Sequence, residues 1–268
     1  MILDAFKLTG KIALITGAGK GIGEGITLAF AEMGAHVICV ARSQDDLEKV
    51  AAKAREFGVE ATAISCDVTK EEQLQALVDQ VTERYGKLDI LVNNAGAPGK
   101  GYGPMTEVTK SRFEHTLGIN LTSVYALTQM CLPLLKAAES ATVVNVSSAL
   151  AWMVDRNFAA YAAAKAGVNQ LTRVMAYELA PNIRVNGIAP GAVDTPATNF
   201  IKQNEAMHKA TTRWIPLNRM GDPKDIALGA LYLASPASGF ITGKIIDIDG
   251  GMAALPGSAI ETTLAMNP

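Results

Sequence analysis

The sequence predicts an α/β domain in which helices cover both faces of a central parallel sheet of about seven strands. Short apolar runs alternate with longer helical patterns along most of the 268 residues. This alternation is typical of a doubly wound sheet, because parallel strands need crossover helices to connect them. The sequence contains no linker, repeat or low-complexity segment, so we expect residues 1–268 to form a single domain.

Seven short runs are predicted to be the strands of this sheet. Val, Ile and Thr are frequent in them, and glycine or polar residues bound most of them, as expected for buried strands. In chain order the runs cover residues 11–16, 36–41, 60–66, 88–93, 142–147, 183–188 and 244–248.

The segments between the strands have the spacing of amphipathic helices. They cover residues 21–34, 43–57, 70–85, 158–179 and 223–234, with two further stretches within 109–137 that are interrupted near Asn120. Ser43 is predicted to cap the second helix through a Ser-x-x-Asp box. Residues 193–219 are expected to form a substrate loop with a helical insert, and residues 252–268 a C-terminal tail.

The composition argues against several classes of function. Hydrophobic residues make up 49% and charged residues 19%, the net charge is −2 and the basic residues are scattered, so we expect no nucleic-acid partner. The three cysteines lack Cys-x-x-Cys spacing and the three histidines lack a metal-ligand pattern. We therefore expect reduced thiols, a cytoplasmic location and no bound metal. The start lacks a signal peptide, and no apolar run approaches the ~20 residues of a membrane span, so we expect no membrane partner.

A glycine-rich loop joins the first strand to the first helix. Residues 16–23 read Thr-Gly-Ala-Gly-Lys-Gly-Ile-Gly. Glycines let the backbone approach a pyrophosphate closely, and the following helix N-terminus supplies amides and a positive dipole end. A purely structural turn is the plainer interpretation. The order strand, loop, helix at the start of a doubly wound pattern favours a nucleotide site and a Rossmann-like fold instead.

The end of the second strand indicates which nicotinamide cofactor is bound. NAD sites place an acid there, about 20 residues beyond the glycines, whereas this chain has Ala41. Arg42 follows directly and Lys20 lies in the glycine loop, and both are cations suited to a 2′-phosphate. Asp45 and Asp46 come later and have the positions of first-turn helix acids. We therefore expect NADP, with NAD as the less favoured alternative.

Tyr161 and Lys165 are four residues apart, so on a helix their side chains share one face. Tyrosine titrates near pH ~10, and we expect the Lys165 ammonium to favour the phenolate and lower the pKa of Tyr161. A tyrosine adjusted in this way exchanges a proton with a substrate at neutral pH. The same spacing also occurs on ordinary helix faces, so its meaning depends on the rest of the chain.

Together these motifs resemble those of the short-chain dehydrogenases/reductases over roughly residues 8–251. The motifs are the Gly-x-x-x-Gly-x-Gly loop, Asn-Asn-Ala-Gly at 93–96, Asn120, Ser148, Tyr161-x-x-x-Lys165 and Pro190-Gly191. The related extended family has longer chains and a different glycine spacing, which argues against an epimerase or dehydratase.

The resemblance implies a catalytic set of Asn120, Ser148, Tyr161 and Lys165. Tyr161 would be the general acid in carbonyl reduction and the base in alcohol oxidation. Lys165 would lower the pKa of Tyr161 and bind the nicotinamide ribose, and Ser148 would polarise the substrate carbonyl. Asn120 would hold a water that links Lys165 to solvent. A strand-end serine, a helix cap and an exposed helix cation are the structural alternatives, and only the joint presence of the four residues argues against them.

The resemblance also implies the cofactor contacts. They are Gly17, Lys20, Gly21, Ile22, Gly23, Arg42, Ser43, Asp67, Val68, Asn94, Ala95, Gly96, Tyr161, Lys165, Pro190, Gly191, Val193 and Thr195. Most of these segments follow a predicted strand, and an open α/β sheet binds its ligands at the carboxyl ends of its strands.

The expected substrate contacts are Ser148, Leu150, Trp152 and Tyr161. The segments that form the pocket in this family are mostly apolar here, so we expect a hydrophobic ketone or secondary alcohol. The sequence is similar in texture to bacterial 7α-hydroxysteroid dehydrogenases, which makes a hydroxysteroid one candidate. A 3-oxoacyl-carrier-protein reductase, a sugar or polyol dehydrogenase, and a non-catalytic NADP-binding sensor or scaffold stay open as alternatives. The presence of both Tyr161 and Lys165 favours an enzyme.

Relatives in this family often assemble through the helices that here follow Asn120 and carry Tyr161. The small residues that would permit close packing there are Ala159, Ala160, Ala163, Ala164 and Gly167. We expect a homotetramer, with a dimer as the next alternative.

Overall fold

The computed structural model describes residues 1–252 and contains the seven-stranded parallel sheet that the sequence predicts. The strands are β1 (Ile12–Thr16), β2 (His36–Ala41), β3 (Ala61–Ser65), β4 (Ile90–Asn93), β5 (Ala141–Val146), β6 (Ile183–Pro190) and β7 (Ile245–Ile248). Their spatial order is β3-β2-β1-β4-β5-β6-β7. The predicted tail lies, beyond Met252, outside the described residues.

The predicted helices are present, and the secondary structure of two regions differs in form from the prediction. The α-helices are α1 (Gly21–Glu32), α2 (Gln44–Arg55), α3 (Glu71–Tyr85), α4 (Lys110–Leu117), α5 (Ser123–Ala137), α6 (Ala159–Leu179), α7 (Asn199–Lys202), α8 (Glu205–Arg213) and α9 (Pro223–Ala234). The predicted interruption near Asn120 is a π-helical turn, Gly118–Thr122, between α4 and α5. The substrate loop after β6 contains two helices, α7 and α8, rather than one insert.

Helices pack on both faces of the sheet because successive strand residues point to opposite sides. Ile15 of β1 belongs to a buried cluster with Phe30 of α1 and Ile226 of α9. Its neighbour Leu14 belongs to a second cluster with Leu74 of α3. Strands that are covered on both faces carry continuous apolar runs, which is the pattern that predicted them.

The strand order reverses between β1 and β4. Strands β2 and β3 continue from β1 to one side, whereas β5, β6 and β7 continue from β4 to the other. Doubly wound sheets bind ligands in the crevice outside the carboxyl ends of their strands at such a reversal. The topology therefore brings the segments after β1, β4, β5 and β6 to one edge of the sheet.

The small-residue face of α6 differs from the prediction. Ala160 and Ala164 are fully buried within the chain. Gly167 faces the π-helical turn, where a Cβ would lie 2.9 Å from a leucine side-chain atom. Only Ala159 and Ala163 of the predicted set are exposed. At about 100° per residue the five residues span about 140° of the helix circumference, and the chain itself covers the side that carries Ala160 and Ala164.

The three cysteines, Cys39, Cys66 and Cys131, are buried and unpaired. Burial raises the pKa of Cys39 and of Cys131 to about 12 and that of Cys66 to about 11, so these thiols are protonated at neutral pH. Within residues 1–252, no group of three or more His, Cys, Asp or Glu side chains is arranged to hold a metal ion. In the same part of the chain, no helix combines the length and the apolar composition that a membrane crossing requires.

Candidate active site

A cleft of about 340 Å³ lies at the carboxyl edge of the sheet, beside the reversal between β1 and β4. The predicted site residues that line it are Gly17, Lys20, Gly21, Ile22, Gly23, Asn94, Ala95, Gly96, Ser148, Tyr161, Lys165, Pro190, Gly191, Val193 and Thr195. Arg42, Ser43, Asp67 and Val68 follow β2 and β3 and lie outside this lining, as do Asn120, Leu150 and Trp152.

Five further residues line the cleft and are not among those predicted from the sequence. They are Val146, Ser147, Pro196, Ala197 and Thr198. Each is within three residues of a predicted position, so extending every motif along its strand end would have found them. Thr198 also shapes this edge, because its hydroxyl donates to the Val193 carbonyl at 2.6 Å and accepts from the Thr195 amide at 2.9 Å.

The glycine loop has little space for side chains. Gly17 has φ +67°, and a Cβ there would lie 2.7 Å from Asn94 Nδ2. A Cβ on Gly23 would overlap the Gly17 carbonyl oxygen. Asn94 ties the loop to β4, since its Nδ2 donates to the Thr16 carbonyl at 2.8 Å. The Thr16 hydroxyl in turn accepts from the Asn94 and Ala95 amides, each at 3.0 Å.

The N-terminus of α1 is the one expected to hold a diphosphate. Its N-cap residue, Lys20, makes no side-chain cap hydrogen bond. Helices α3, α5, α6 and α7 also lack such a bond, whereas the N-cap side chains of α2, α4, α8 and α9 each accept from an amide of the first turn. Uncapped first-turn amides, together with the dipole and the glycine cradle, fit an anionic group such as the diphosphate of a dinucleotide.

The region expected to hold the 2′-phosphate differs from the prediction at Lys20. The Lys20 ammonium lies 2.9 Å from a carboxylate oxygen of Asp46, so this cation is already paired. Asp46 is therefore more than a first-turn acid of α2. Ser43 caps that helix as predicted, accepting from the Asp46 amide at 3.5 Å. Arg42 is exposed, and its positive charge contributes to lowering the pKa of Asp67.

Tyr161, Ser148 and Lys165 meet on the inner wall of the cleft. Desolvation by burial raises the pKa of Tyr161, and the Ser148 side chain offsets this rise only in part. The expected net lowering of this pKa is therefore not found, because burial has the larger effect. Burial also lowers the pKa of Lys165 to about 8, so the same desolvation disfavours both charged forms.

Hydrogen bonds to the end of β5 hold Lys165 in place. Its side chain is 2% exposed, and its ammonium donates to the Val146 carbonyl at the end of β5, at 2.8 Å. The ammonium nitrogen lies 5.6 Å from the centroid of the Tyr161 ring. The Ser147 hydroxyl donates to the Lys165 main-chain carbonyl at 3.3 Å. The predicted alternative of an exposed helix cation does not apply to this lysine.

Asn120 is fully buried in the π-helical turn, and its side chain is engaged by the neighbouring backbone. Oδ1 accepts from the Ala97 amide at 3.0 Å, while Nδ2 donates to the Ala97 carbonyl at 2.8 Å and to the Thr116 carbonyl at 2.9 Å. Both Nδ2 protons are thus used within the protein. A Cβ on Gly96 would lie 2.7 Å from Asn120 Oδ1 and 3.2 Å from Lys165 Nζ. This position therefore has no room for a side chain.

A chain of buried polar side chains supports the site from within the sheet. Asn93 Nδ2 donates to the Thr128 hydroxyl at 3.0 Å and to Asn145 Oδ1 at 2.9 Å. Asn145 Nδ2 then donates to the Thr172 hydroxyl at 2.9 Å. These side-chain hydrogen bonds connect β4 and β5 to α5 and α6. They fix helix α6, which carries Tyr161, against the strands that end at the cleft.

Two short segments lie on the side of the site where we expect the substrate to bind. Ser148 Oγ accepts from the Leu150 amide at 3.2 Å, and Trp152 lies beyond that turn, 42% exposed. Tyr102 packs edge-on against Phe158 with ring centroids 5.0 Å apart. Phe158 packs edge-on against Tyr161 at 6.2 Å. Aromatic rings therefore extend from the general acid candidate toward solvent.

Helix α4 holds the segment that carries Tyr102. The Arg112 guanidinium donates to the carbonyls of Lys100 at 2.6 Å, Tyr102 at 3.0 Å and Glu107 at 3.2 Å. The Thr116 hydroxyl accepts from the amide of residue 101 at 2.9 Å. These bonds give the loop a defined shape despite its exposure.

Known proteins share both the sequence and the fold of this chain. The profile of the family described as enoyl-(acyl carrier protein) reductase matches residues 17–253. An uncharacterized oxidoreductase of Mycobacterium tuberculosis is 40% identical over 255 residues, which cover 94% of this chain and 95% of that protein. The 7α-hydroxysteroid dehydrogenase of Escherichia coli is 38% identical (92% and 96% covered), and a 3-oxoacyl-[acyl-carrier-protein] reductase of Thermotoga maritima is also 38% identical (92% and 99%).

Several solved structures have the same fold as this chain and are similar to it in sequence. A short-chain type dehydrogenase/reductase from Mycobacterium marinum superposes with a TM-score of 0.89 at 37% identity, covering 95% of this chain and 100% of that one. A 7α-hydroxysteroid dehydrogenase in complex with NADH and 7-oxo glycochenodeoxycholic acid has a TM-score of 0.88 at 37% identity (93% and 96%). An actinorhodin polyketide ketoreductase with NADPH has a TM-score of 0.86 at 32% identity (92% and 98%).

Proposed function

This chain belongs to the short-chain dehydrogenase/reductase family, and we propose that it is an NADP(H)-dependent oxidoreductase acting on a hydrophobic ketone or secondary alcohol. The observation that carries the proposal is the arrangement in one cleft of Ser148, Tyr161 and buried Lys165 beside the glycine loop. A proton donor, a hydroxyl partner and a cation are thereby within reach of one bound carbonyl group.

The family uses nicotinamide cofactors, and the relatives described above include complexes with NADH and with NADPH. The residues present fit such a group, because the loop excludes side chains at Gly17 and Gly23 and the start of α1 is uncapped. When bound, the nicotinamide supplies or accepts the hydride. We assign the preference to NADP because Ala41 replaces the ribose-binding acid and Arg42 follows it.

In the proposed mechanism the Tyr161 hydroxyl gives its proton to the substrate oxygen during reduction and takes it back during oxidation. The raised pKa of Tyr161 keeps the phenol protonated at neutral pH, which is the form that reduction needs. The Ser148 hydroxyl lines the same cleft as Tyr161 and would share the same substrate oxygen. It stabilises the negative charge that develops there.

Lys165 and Asn120 have supporting roles in this mechanism. A lysine with a pKa of about 8 exchanges its proton readily near neutral pH, so it can help restore the phenol after each reduction. Asn120 holds the 96–97 segment beside the ammonium through its bonds to the Ala97 backbone. Both Nδ2 protons of Asn120 are already donated within the protein. A water that relays protons through Asn120 would therefore have to donate to an oxygen of this residue.

The apolar substrate side supports a hydrophobic substrate. Tyr102 and Trp152 are about half exposed there, and Phe158 links Tyr102 to the Tyr161 ring. A hydroxysteroid suits such a surface, and it is the substrate class named for one relative. A 3-oxoacyl thioester is the second candidate, because the Thermotoga maritima relative is equally identical and the matching family profile also names an acyl-carrier-protein reductase.

We further propose one catalytic domain that assembles as a homotetramer in the cytoplasm, with a dimer as the alternative. The exposed apolar residues Tyr125 on α5 and Val174 and Tyr177 on α6 support assembly through these two helices. The buried, unpaired cysteines support a reducing compartment.

The test of the proposed function is turnover by the Tyr161→Phe variant. Wild-type protein is screened with NADPH and NADH against steroid ketones, acyl thioesters, sugars and small ketones, following nicotinamide absorbance. For the best substrate, Tyr161→Phe should reduce kcat by at least about 1,000-fold while leaving NADPH affinity within about twofold. The control is Tyr85→Phe, since Tyr85 lies on α3 and outside the lining of the cleft.

Retained turnover by Tyr161→Phe would contradict the catalytic assignment. A wild-type chain that binds NADPH but reduces no member of the panel would instead favour the non-catalytic sensor or scaffold. Selective reduction of acyl thioesters would replace the hydroxysteroid candidate with the second one.

A further inference from the structure

An ion pair connects the glycine loop to helix α2. The ammonium of Lys20 lies 2.9 Å from a carboxylate oxygen of Asp46, and the Asp46 side chain is only 22% exposed. The two segments are also in close contact, because a Cβ on Gly19 would lie 3.2 Å from the Asp46 Cβ. The carboxylate of Asp46 is therefore held beside the cofactor cleft, which Lys20 lines.

This position matters for an anionic ligand group. A 2′-phosphate carries a charge of about −1.5 to −2 at neutral pH, and it has to compete with the Asp46 carboxylate for Lys20. The same carboxylate would repel the phosphate. A ribose hydroxyl has no such conflict, since carboxylates accept hydrogen bonds from the ribose in NAD sites.

Neighbouring charges do not remove the conflict. Asp46 has a lowered pKa, chiefly because of its bond to Lys20, so it is ionised across the neutral range. Arg42 is exposed, and its positive charge contributes to lowering the pKa of Asp67. The first turn of α2 thus places one negative charge directly at the cation that the sequence assigns to the phosphate.

Resting on the nicotinamide-dependent function proposed above, we propose that Asp46 is a specificity-determining residue that reduces discrimination between NADP and NAD. It does so by pairing with Lys20 and by holding a carboxylate against the glycine loop, where it would repel a 2′-phosphate bound by Lys20. The chain therefore accepts both cofactors more evenly than Arg42 and the absence of an acid at Ala41 alone would predict.

The experiment is calorimetric titration of the full chain with NADP⁺ and with NAD⁺, which needs no substrate. Asp46→Asn should raise the ratio Kd(NAD⁺)/Kd(NADP⁺) by about three- to tenfold. Asp45→Asn is the matched control, since it removes a carboxylate from the same helix turn without freeing Lys20. Its ratio should stay within about twofold of wild type.

A double-mutant cycle tests the mechanism of the effect. Lys20→Gln should reduce NADP⁺ affinity more in the Asp46→Asn background than in wild type, because the lysine is then free to bind the phosphate. An unchanged ratio in Asp46→Asn, or an equal rise in Asp45→Asn, would overturn the inference. If Asp46→Asn does not fold, Asp46→Ser provides the same comparison.

Failure of the inference and failure of the proposed function give different results. A wild-type chain that binds neither nucleotide refutes the nicotinamide-dependent function itself. A wild-type chain that binds NADP⁺ with a ratio insensitive to Asp46 refutes only the role of this carboxylate.

Discussion

Replacing Lys165 with methionine is expected to abolish turnover and at the same time to stabilise the folded chain. The Lys165 side chain is 2% exposed, and burial lowers its pKa from 10.5 to about 8. Each tenfold change in this equilibrium corresponds to about 1.36 kcal/mol. Keeping the ammonium inside at pH 7 therefore costs about 3 kcal/mol relative to a neutral group.

Part of this cost is offset by the hydrogen bond from Lys165 to the Val146 carbonyl, at 2.8 Å. Losing that bond costs about 1 kcal/mol. Methionine has a similar length and no charge, so it fills the same space. The net expectation is that Lys165→Met raises the free energy of unfolding by about 2 kcal/mol at pH 7.

The effect has a definite pH dependence. The pKa of Lys165 is lower in the folded state than in the unfolded state. The penalty is therefore complete below the folded value, about 8, and disappears as the pH rises through the unfolded value, 10.5. At pH 9 the penalty is about 2 kcal/mol. The advantage of the variant should then fall to about 1 kcal/mol.

The assay is urea unfolding without nucleotide at pH 7 and pH 9, at one protein concentration, with linear extrapolation. Lys209→Met is the control, because Lys209 is exposed on α8 and its replacement should change stability by less than about 0.5 kcal/mol. A Lys165→Met variant that is less stable than wild type at pH 7, or whose advantage does not fall at pH 9, would refute this reasoning. Turnover is measured on the same preparations.

Two other substitutions test the packing around the site. Gly96→Ala should reduce kcat by about 100-fold, because its Cβ would displace the Asn120 amide that lies 2.7 Å away. Steady-state kinetics measures this, and wild-type turnover would show that the site adapts. Thr172→Val keeps the shape but leaves the Asn145 amide without its acceptor, so it should destabilise the fold by about 1–3 kcal/mol in urea unfolding. A change below about 0.5 kcal/mol would show that this bond is dispensable.

Much of the fold was predictable because parallel strands buried on both faces carry continuous apolar runs, and crossover helices separate them. The glycine loop was predictable for a local reason, since positive φ at Gly17 and the close contact at Gly23 exclude side chains. The interruption at Asn120 was located from sequence, but its form as a π-helical turn was not.

The unforeseen features are contacts between segments that are distant in the chain. Lys20 pairs with Asp46, which is 26 residues away and comes close only when α2 packs on the loop. On the small-residue face of α6, Ala160 and Ala164 are buried inside the chain. Spacing along one helix does not tell which neighbour covers each side.

By itself the sequence determined the order of elements, the family motifs and the edge of the sheet at which they meet. Each of these depends on local backbone preference or on residues that end a strand. Only the tertiary structure decided the electrostatics of the Tyr161–Lys165 pair. The spacing of four residues predicts a lowered tyrosine pKa, whereas burial raises it and lowers that of the lysine. Desolvation depends on all the atoms packed around a group, and the spacing of two residues does not specify that environment.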